Sequence, residues 1–219
     1  MQQVWAILPF AIGSAVSPLI LTASILAISQ PKRPLAKALA FLAGAAISIT
    51  VIGSFIILLN LGAKKASSQP SLVDAEFQLV AGVALIIFAL RRLLKKRTNT
   101  SQHSAKATSV WKYFVLGIGL MAVNTSTIFL YFPAAVVLTK ESATVSARVL
   151  ALGVMILFSL LPAIVAPLLL VVLGKHAQPV LRKLSVFVER FGPAIIAVLF
   201  GLIGVFLLIK SILDLMALR

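Results

Sequence analysis

Six long apolar stretches dominate the chain, and their interiors hold no Asp, Glu, Lys, Arg or His. They read as Val4–Ser29, Leu35–Leu61, Phe77–Leu94, Tyr113–Leu138, Val149–Leu173 and Pro193–Leu213. A hydrocarbon core of about 30 Å is crossed by roughly 20 helical residues at about 1.5 Å each, and every stretch reaches or approaches that length. Strands of a membrane barrel would be about 10 residues long and would alternate, which these runs do not. The expected fold is an all-α polytopic membrane protein with six transmembrane helices. Its polar work then falls to hydroxyls, amides and broken backbone rather than to charges.

The chain is 61% hydrophobic and only 11% charged, and the charges sit between the spans. A net charge of +15 would point to nucleic acid in a soluble protein. Here topology explains it, and no nucleic-acid partner is expected. Lys32, Arg33 and Lys37 follow the first span. Arg91, Arg92, Lys95, Lys96, Arg97, Lys106 and Lys112 follow the third, and Lys175, Arg182, Lys183 and Arg190 follow the fifth. The other side holds only Lys64, Lys65, Lys140, Arg148, Lys210 and Arg219. The positive-inside rule therefore predicts a plasma-membrane protein with both termini extracytoplasmic. The first run is too long, and its start too poor in bases, for a cleavable signal, so it is expected to be a retained helix. With no cysteines and only the isolated His103 and His176, neither a metal site nor any cofactor is expected.

The spans fall into two groups of three, residues 1–94 and 113–219, joined by a basic cytoplasmic linker over 95–112. The stretch around Gly82, ending at Arg91, aligns with the stretch around Gly201, ending at Lys210. Ile12-Gly13 matches Ile118-Gly119 in the same way. Apolar runs also align by chance. An odd number of spans per half, however, inserts the second half upside down, as in inverted-repeat transporters. Residues 179–191 place Val180, Leu181, Leu184, Phe187, Val188 and Phe191 at helical spacing, with Arg182, Lys183, Glu189 and Arg190 on the other side. That pattern fits an interfacial helix before the last span, or a plain extension of a tilted span.

Missing intramembrane charge disfavours a carboxylate proton relay and a divalent-cation path. It also leaves no buried base to activate a serine, so the chain is not expected to be an enzyme. The polar residues that remain are neutral. Ser14, Ser17, Pro18 and Thr22 lie in the first span; Asn124, Thr125, Ser126, Thr127 and Tyr131 lie in the fourth. Pro18 removes a backbone donor. Paired interruptions in corresponding helices of two halves are the best sequence pointer to a transport site. Ser48 in the second span and Ser159 in the fifth would flank it. The competing reading is that these hydroxyls bond carbonyls of their own helix and permit close packing. Pro162 and Pro167 are expected to kink the fifth span or open it to a cavity. The small run Ala43 to Ala46 is expected to be a close helix contact.

Residues 8–20, with Ser17-Pro18, and residues 31–44, with a short basic loop and then Phe41 and Gly44, resemble the peptidoglycolipid-addressing (GAP, or sulfolipid-addressing) family of the lysine-exporter (LysE) superfamily. Asn124 in the fourth span, Leu161 to Pro167 and the glycine-rich last span fit the same pattern over nearly the whole chain. Thr125 and Ser126 stand where relatives often have Pro and Lys, so a role that depends on that Lys does not carry over. The resemblance implies a six-helix inverted-repeat exporter that moves or addresses envelope glycolipids or peptidolipids. The expected substrate is an amphiphile with a modest polar head, and the expected partners are membrane lipids and a second copy of the chain. Lys32, Arg33, Lys37, Arg91 and Arg92 are expected to hold an anionic headgroup at the inner mouth. Export of small solutes such as amino acids, or a scaffold that transports nothing, are the rival readings.

Overall fold

A computed structural model of the chain describes residues 2–66, 70–94, 109–139 and 144–217. Its elements are α1 (Gln2–Ala15), α2 (Pro18–Ile28), α3 (Pro34–Ala66), α4 (Pro70–Leu94), α5 (Val110–Ala122), α6 (Thr125–Leu138), α7 (Val145–Leu173), a 3₁₀ turn (Gly174–His176) and α8 (Ala177–Ala217). Four helices are long and apolar enough to cross a membrane, over Pro34–Lys65, Leu72–Arg91, Val145–Leu173 and Ala194–Met216. The pairs α1–α2 and α5–α6 are each bent by 56° at a short break, and the count is six if each pair is one span. The molecule is an all-helical, multi-pass membrane protein. Its outward faces fit that solvent: Val51, Phe55, Leu58, Val172, Leu202 and Phe206 are all exposed.

Three hydrogen-bonded or stacked contacts tell which helix ends lie together. Lys37 at the start of α3 lies over the Tyr113 ring at the start of α5. Thr139, closing α6, meets Asn60 near the end of α3. The Ser211 hydroxyl near the end of α8 donates to the Ala75 carbonyl near the start of α4, at 2.8 Å. One end of the bundle therefore gathers the basic turns that open α3 and α5, and the other gathers Asn60, Ala75, Thr139 and Ser211.

Packing in lipid gains little from the hydrophobic effect, so close backbone approach carries more of it. Gly44 and Gly117 supply that approach between α3 and α5. A Cβ on Gly44 would overlap the Phe114 carbonyl, and one on Gly117 would overlap the Phe41 carbonyl. The small run Ala43 to Ala46 is thus a helix crossing, as its composition suggests. A second crossing joins α4 and α8. Gly82 faces the Gly204 carbonyl and Gly204 faces the Gly82 carbonyl, each at 3.0 Å from the position of a Cβ. Gly201, which the sequence match sets equivalent to Gly82, meets nothing within 4 Å.

Three further elements differ from the sequence expectation. α4 starts at Pro70 rather than near 77, so Asp74 and Glu76 belong to its first turns. α8 is one helix of 41 residues, continuous through Pro193, and at about 1.5 Å per residue it is about 60 Å long. The segment 179–191 is its first part, which agrees with the reading of it as a plain extension of the last span. The linker residues 95–108, His103 included, lie outside the described residues, and 110–112 form the first turn of α5.

α7 also departs from expectation, because Pro162 and Pro167 sit inside it without breaking it. Pro167 has no N–H to give the carbonyl four residues back, that of Ala163. The Ser24 hydroxyl of α2 donates to that carbonyl at 2.8 Å, and Ser24 is fully buried. A neighbouring helix thus satisfies the group that the proline frees. Ser24→Ala should therefore destabilise by about 1–3 kcal/mol, the cost of a stranded buried acceptor. In a Pro167→Ala background the same change should cost clearly less, because the helix N–H is restored. Thermal unfolding of the four variants in detergent measures the coupling; equal costs in both backgrounds would remove this role for Ser24.

Candidate functional site

The two broken helices meet at their breaks. In the first, Ser17 takes an extended backbone, φ −126° and ψ 96°, and Pro18 opens α2 at its first helical position. Proline suits that position, since its fixed φ is helical and its missing N–H would be unpaired there anyway. The second break needs no proline. Asn124 has φ −75° and ψ 72°, and the Thr125 N–H donates to the Val123 carbonyl at 2.8 Å. That is an inverse γ-turn centred on Asn124. Ser17 and Asn124 are the N-cap residues of α2 and α6, yet neither side chain caps its own helix.

The two caps bond each other instead. Asn124 Nδ2 donates to Ser17 Oγ at 3.1 Å and to Thr127 Oγ1 at 2.8 Å. The other end of the amide, Oδ1, accepts from the Ser126 hydroxyl at 2.8 Å. All four residues are at most 5% exposed. One helical turn along α6, the Tyr131 hydroxyl lies 3.2 Å from Ser159 Oγ of α7. The Ser159 hydroxyl faces two acceptors, Ser14 Oγ at 3.0 Å and the Met155 carbonyl at 2.8 Å, and the Ser14 hydroxyl donates to the Ala11 carbonyl at 2.7 Å. Tyr131 donating to Ser159, and Ser159 to Ser14, gives an unbroken relay of hydroxyls from α6 through α7 to α1. The Tyr131 ring lies against Gly53 of α3, where a Cβ would collide with it.

Chemically, this is a buried, uncharged set of amide and hydroxyl groups at the meeting point of two helix N-termini. Such termini carry a partial positive charge and point free N–H groups outward, which suits a carbonyl or an anionic or zwitterionic oxygen. Among the described residues no His, Cys, Asp or Glu cluster could hold a metal ion. Some hydroxyls do bond carbonyls of their own helix, as the competing reading has it. Asn124 to Ser17 and Ser159 to Ser14 join different helices, which self-bonding does not explain.

The structure gathers Ser14, Ser17, Asn124, Ser126, Thr127, Tyr131 and Ser159, with Pro18 at the rim. Ser48 is buried on α3 but is not bonded to this network. Thr22 and Thr125 are exposed, and Thr125 merely donates to the Val123 carbonyl at 3.1 Å. Of the basic set, Lys32, Arg33 and Arg91 are exposed while Lys37 is buried, and the Arg92 side chain lies outside the described ones.

Sequence reasoning missed a second polar cluster, at the end of the bundle away from the basic turns. Lys64 Nζ lies 2.7 Å from Asp74 Oδ2 and donates to the Thr139 carbonyl at 3.2 Å. The Thr139 hydroxyl in turn bonds the Asn60 side chain. α3, α4 and the C-terminus of α6 are tied together there, and the ammonium sits where the helix dipole favours a cation. Asn60 at the close of an apolar run, one turn before Lys64, was the available signal.

A family model for Sap, the sulfolipid-1-addressing protein (SfLAP), matches residues 7–213. The chain belongs to this family. No curated protein and no solved structure matches it significantly. The match spans both breaks, both glycine crossings and the second polar cluster, so every feature described above lies within the sulfolipid-addressing family region. The family's description suggests a lipid-related membrane function.

Proposed function

We propose that this sulfolipid-addressing family protein translocates an amphiphilic, lipid-linked or glycolipid molecule across the plasma membrane. The observation that carries the reading is the bond between Asn124 and Ser17, cap to cap, at two matched 56° breaks. Breaks of this kind, in corresponding helices, mark the substrate site of inverted-repeat transporters. Packing supports the repeat: α3 lies on α5 as α7 lies on α1, and α3 touches α6 as α7 touches α2. The chain is then a six-span member of the LysE superfamily working by alternating access, with both termini extracytoplasmic. It does no covalent chemistry, uses no cofactor, and works among membrane lipids, alone or as a homodimer.

The uncharged lining favours a substrate whose apolar tail travels with a modest polar head. The test is reconstitution. Purified protein in liposomes should move a fluorescent short-chain glycolipid between leaflets, read by chemical quenching of the outer leaflet. Movement of amino acids but not of the glycolipid would transfer the reading to small-solute export. Movement of neither would leave a scaffold.

A further inference from the structure

We propose that Lys37 and the paired first turns of α3 and α5 form a binding site for a phosphate-type anion, supplied by the phosphodiester headgroup of a membrane lipid. Lys37 is only 3% exposed. Among the described residues it makes no ion pair; its ammonium lies 5.8 Å from the centroid of the Tyr113 ring, itself buried. A ring face is a weak substitute for a counter-ion.

The backbone makes the position more positive still. Lys37 and Tyr113 each stand fourth in their helix, so the two helices begin side by side. The Gly44 and Gly117 crossing holds them there. Both N-termini present partial positive charge and free N–H groups, and the Ser109 side chain that precedes α5 caps none of them. A cation in the first turn of a helix is disfavoured unless an anion joins it, and backbone N–H groups with a lysine are a common phosphate cradle.

The rim is suited to a headgroup. Lys32, Arg33 and Lys112 are exposed around it. Arg33 holds a left-handed backbone, φ 51°, uncommon in a residue with a Cβ, in the turn that leads into α3. Trp111 is 66% exposed and stacks on Phe114 at 4.9 Å, as an aromatic anchor at the membrane interface does. This site is separate from the Asn124 network and does not depend on the translocation reading.

The test compares wild type, Lys37→Met and Lys112→Met in dodecyl maltoside micelles, which contain no phosphate, with and without added phosphatidylglycerol. In the maltoside alone, Lys37→Met should melt at or above wild type, because it removes a charge that has no counter-ion there. Adding phosphatidylglycerol should raise wild type and Lys112→Met by about 5 °C and leave Lys37→Met unmoved, which reverses the order. Equal responses from wild type and Lys37→Met, or none from wild type, would overturn the site. A loss in Lys112→Met as large as in Lys37→Met would overturn it in favour of diffuse surface attraction. Inorganic phosphate added to the maltoside micelles should not reproduce the rise. If it does, the anion site stands and its lipid source falls.

Discussion

Gly44→Leu and Gly117→Leu should each prevent α3 and α5 from closing on one another. The collision is with backbone carbonyls, those of Phe114 and Phe41, which cannot rotate away as a side chain can. The helices must separate, and the neighbours held by that crossing, Lys37 over Tyr113 among them, must separate with them. Overpacking of this kind costs about 3 kcal/mol or more. For a chain of this size that lowers the melting temperature by roughly 10 °C, or leaves no folded protein to purify. Gly62, Gly119 and Gly153 are the controls, since a Cβ there meets nothing within 4 Å. Alanine at those helical positions should be neutral or stabilise by about 0.5–1 kcal/mol. Size-exclusion profiles and thermal melts in detergent check both groups. A Gly44→Leu protein melting within about 2 °C of wild type would mean that α3 and α5 do not cross as described.

Much of this architecture was readable from local pattern. Hydropathy places the spans because lipid demands long apolar helices, and Ser17-Pro18 and Asn124 mark the two breaks because each disturbs the backbone where it stands. Gly44 announces a crossing because small residues have few other uses in lipid. What stayed hidden depends on partners distant in the chain. Ser24 looks like any hydroxyl in an apolar run until Ala163, 139 residues away, is placed beside it. Lys64 and Asp74 look like loop charges until α4 is seen to start at Pro70. The contact of Gly82 with Gly204 stayed hidden as well, because a match between two apolar runs compares equivalent positions and says nothing of which residues touch. Pro162 and Pro167 failed as breakers for a related reason. A proline frees a carbonyl locally, but whether the helix breaks depends on who else can bond it.

The two polar clusters divide the second broken helix between them. Asn124 holds the start of α6 to the Ser17 end of α2, and Lys64 with Asn60 holds its last turn to α3 and α4. A helix pinned at both ends is closed to large movement while both sets of bonds persist. Under the translocation reading, passage requires at least one set to open. The inverse γ-turn at Asn124 is the natural pivot, since only Val123 and Asn124 separate α5 from α6.

Asn124→Leu should therefore have the largest functional effect of any single change. Leucine keeps the same branched side-chain skeleton, though it is bulkier, while the hydrogen bonds of the amide are lost. Ser17 Oγ and Thr127 Oγ1 lose their donor and the Ser126 hydroxyl loses its acceptor, all of them buried. Stranded neutral groups of this kind cost about 1–3 kcal/mol, which the fold should survive. Glycolipid movement in liposomes should nonetheless fall by at least about tenfold, the equivalent of roughly 1.4 kcal/mol at the site. Any amphiphile that co-purifies with wild type, counted by native mass spectrometry, should be lost. Ser17→Ala should show part of the same loss in the wild type and almost none in the Asn124→Leu background, because the two side chains share one bond. The exposed Thr22→Ala and Thr125→Val should leave both readouts unchanged. If Asn124→Leu keeps its amphiphile and moves lipid at the wild-type rate, the cap-to-cap contact is a structural clasp, and the substrate must pass elsewhere in the bundle.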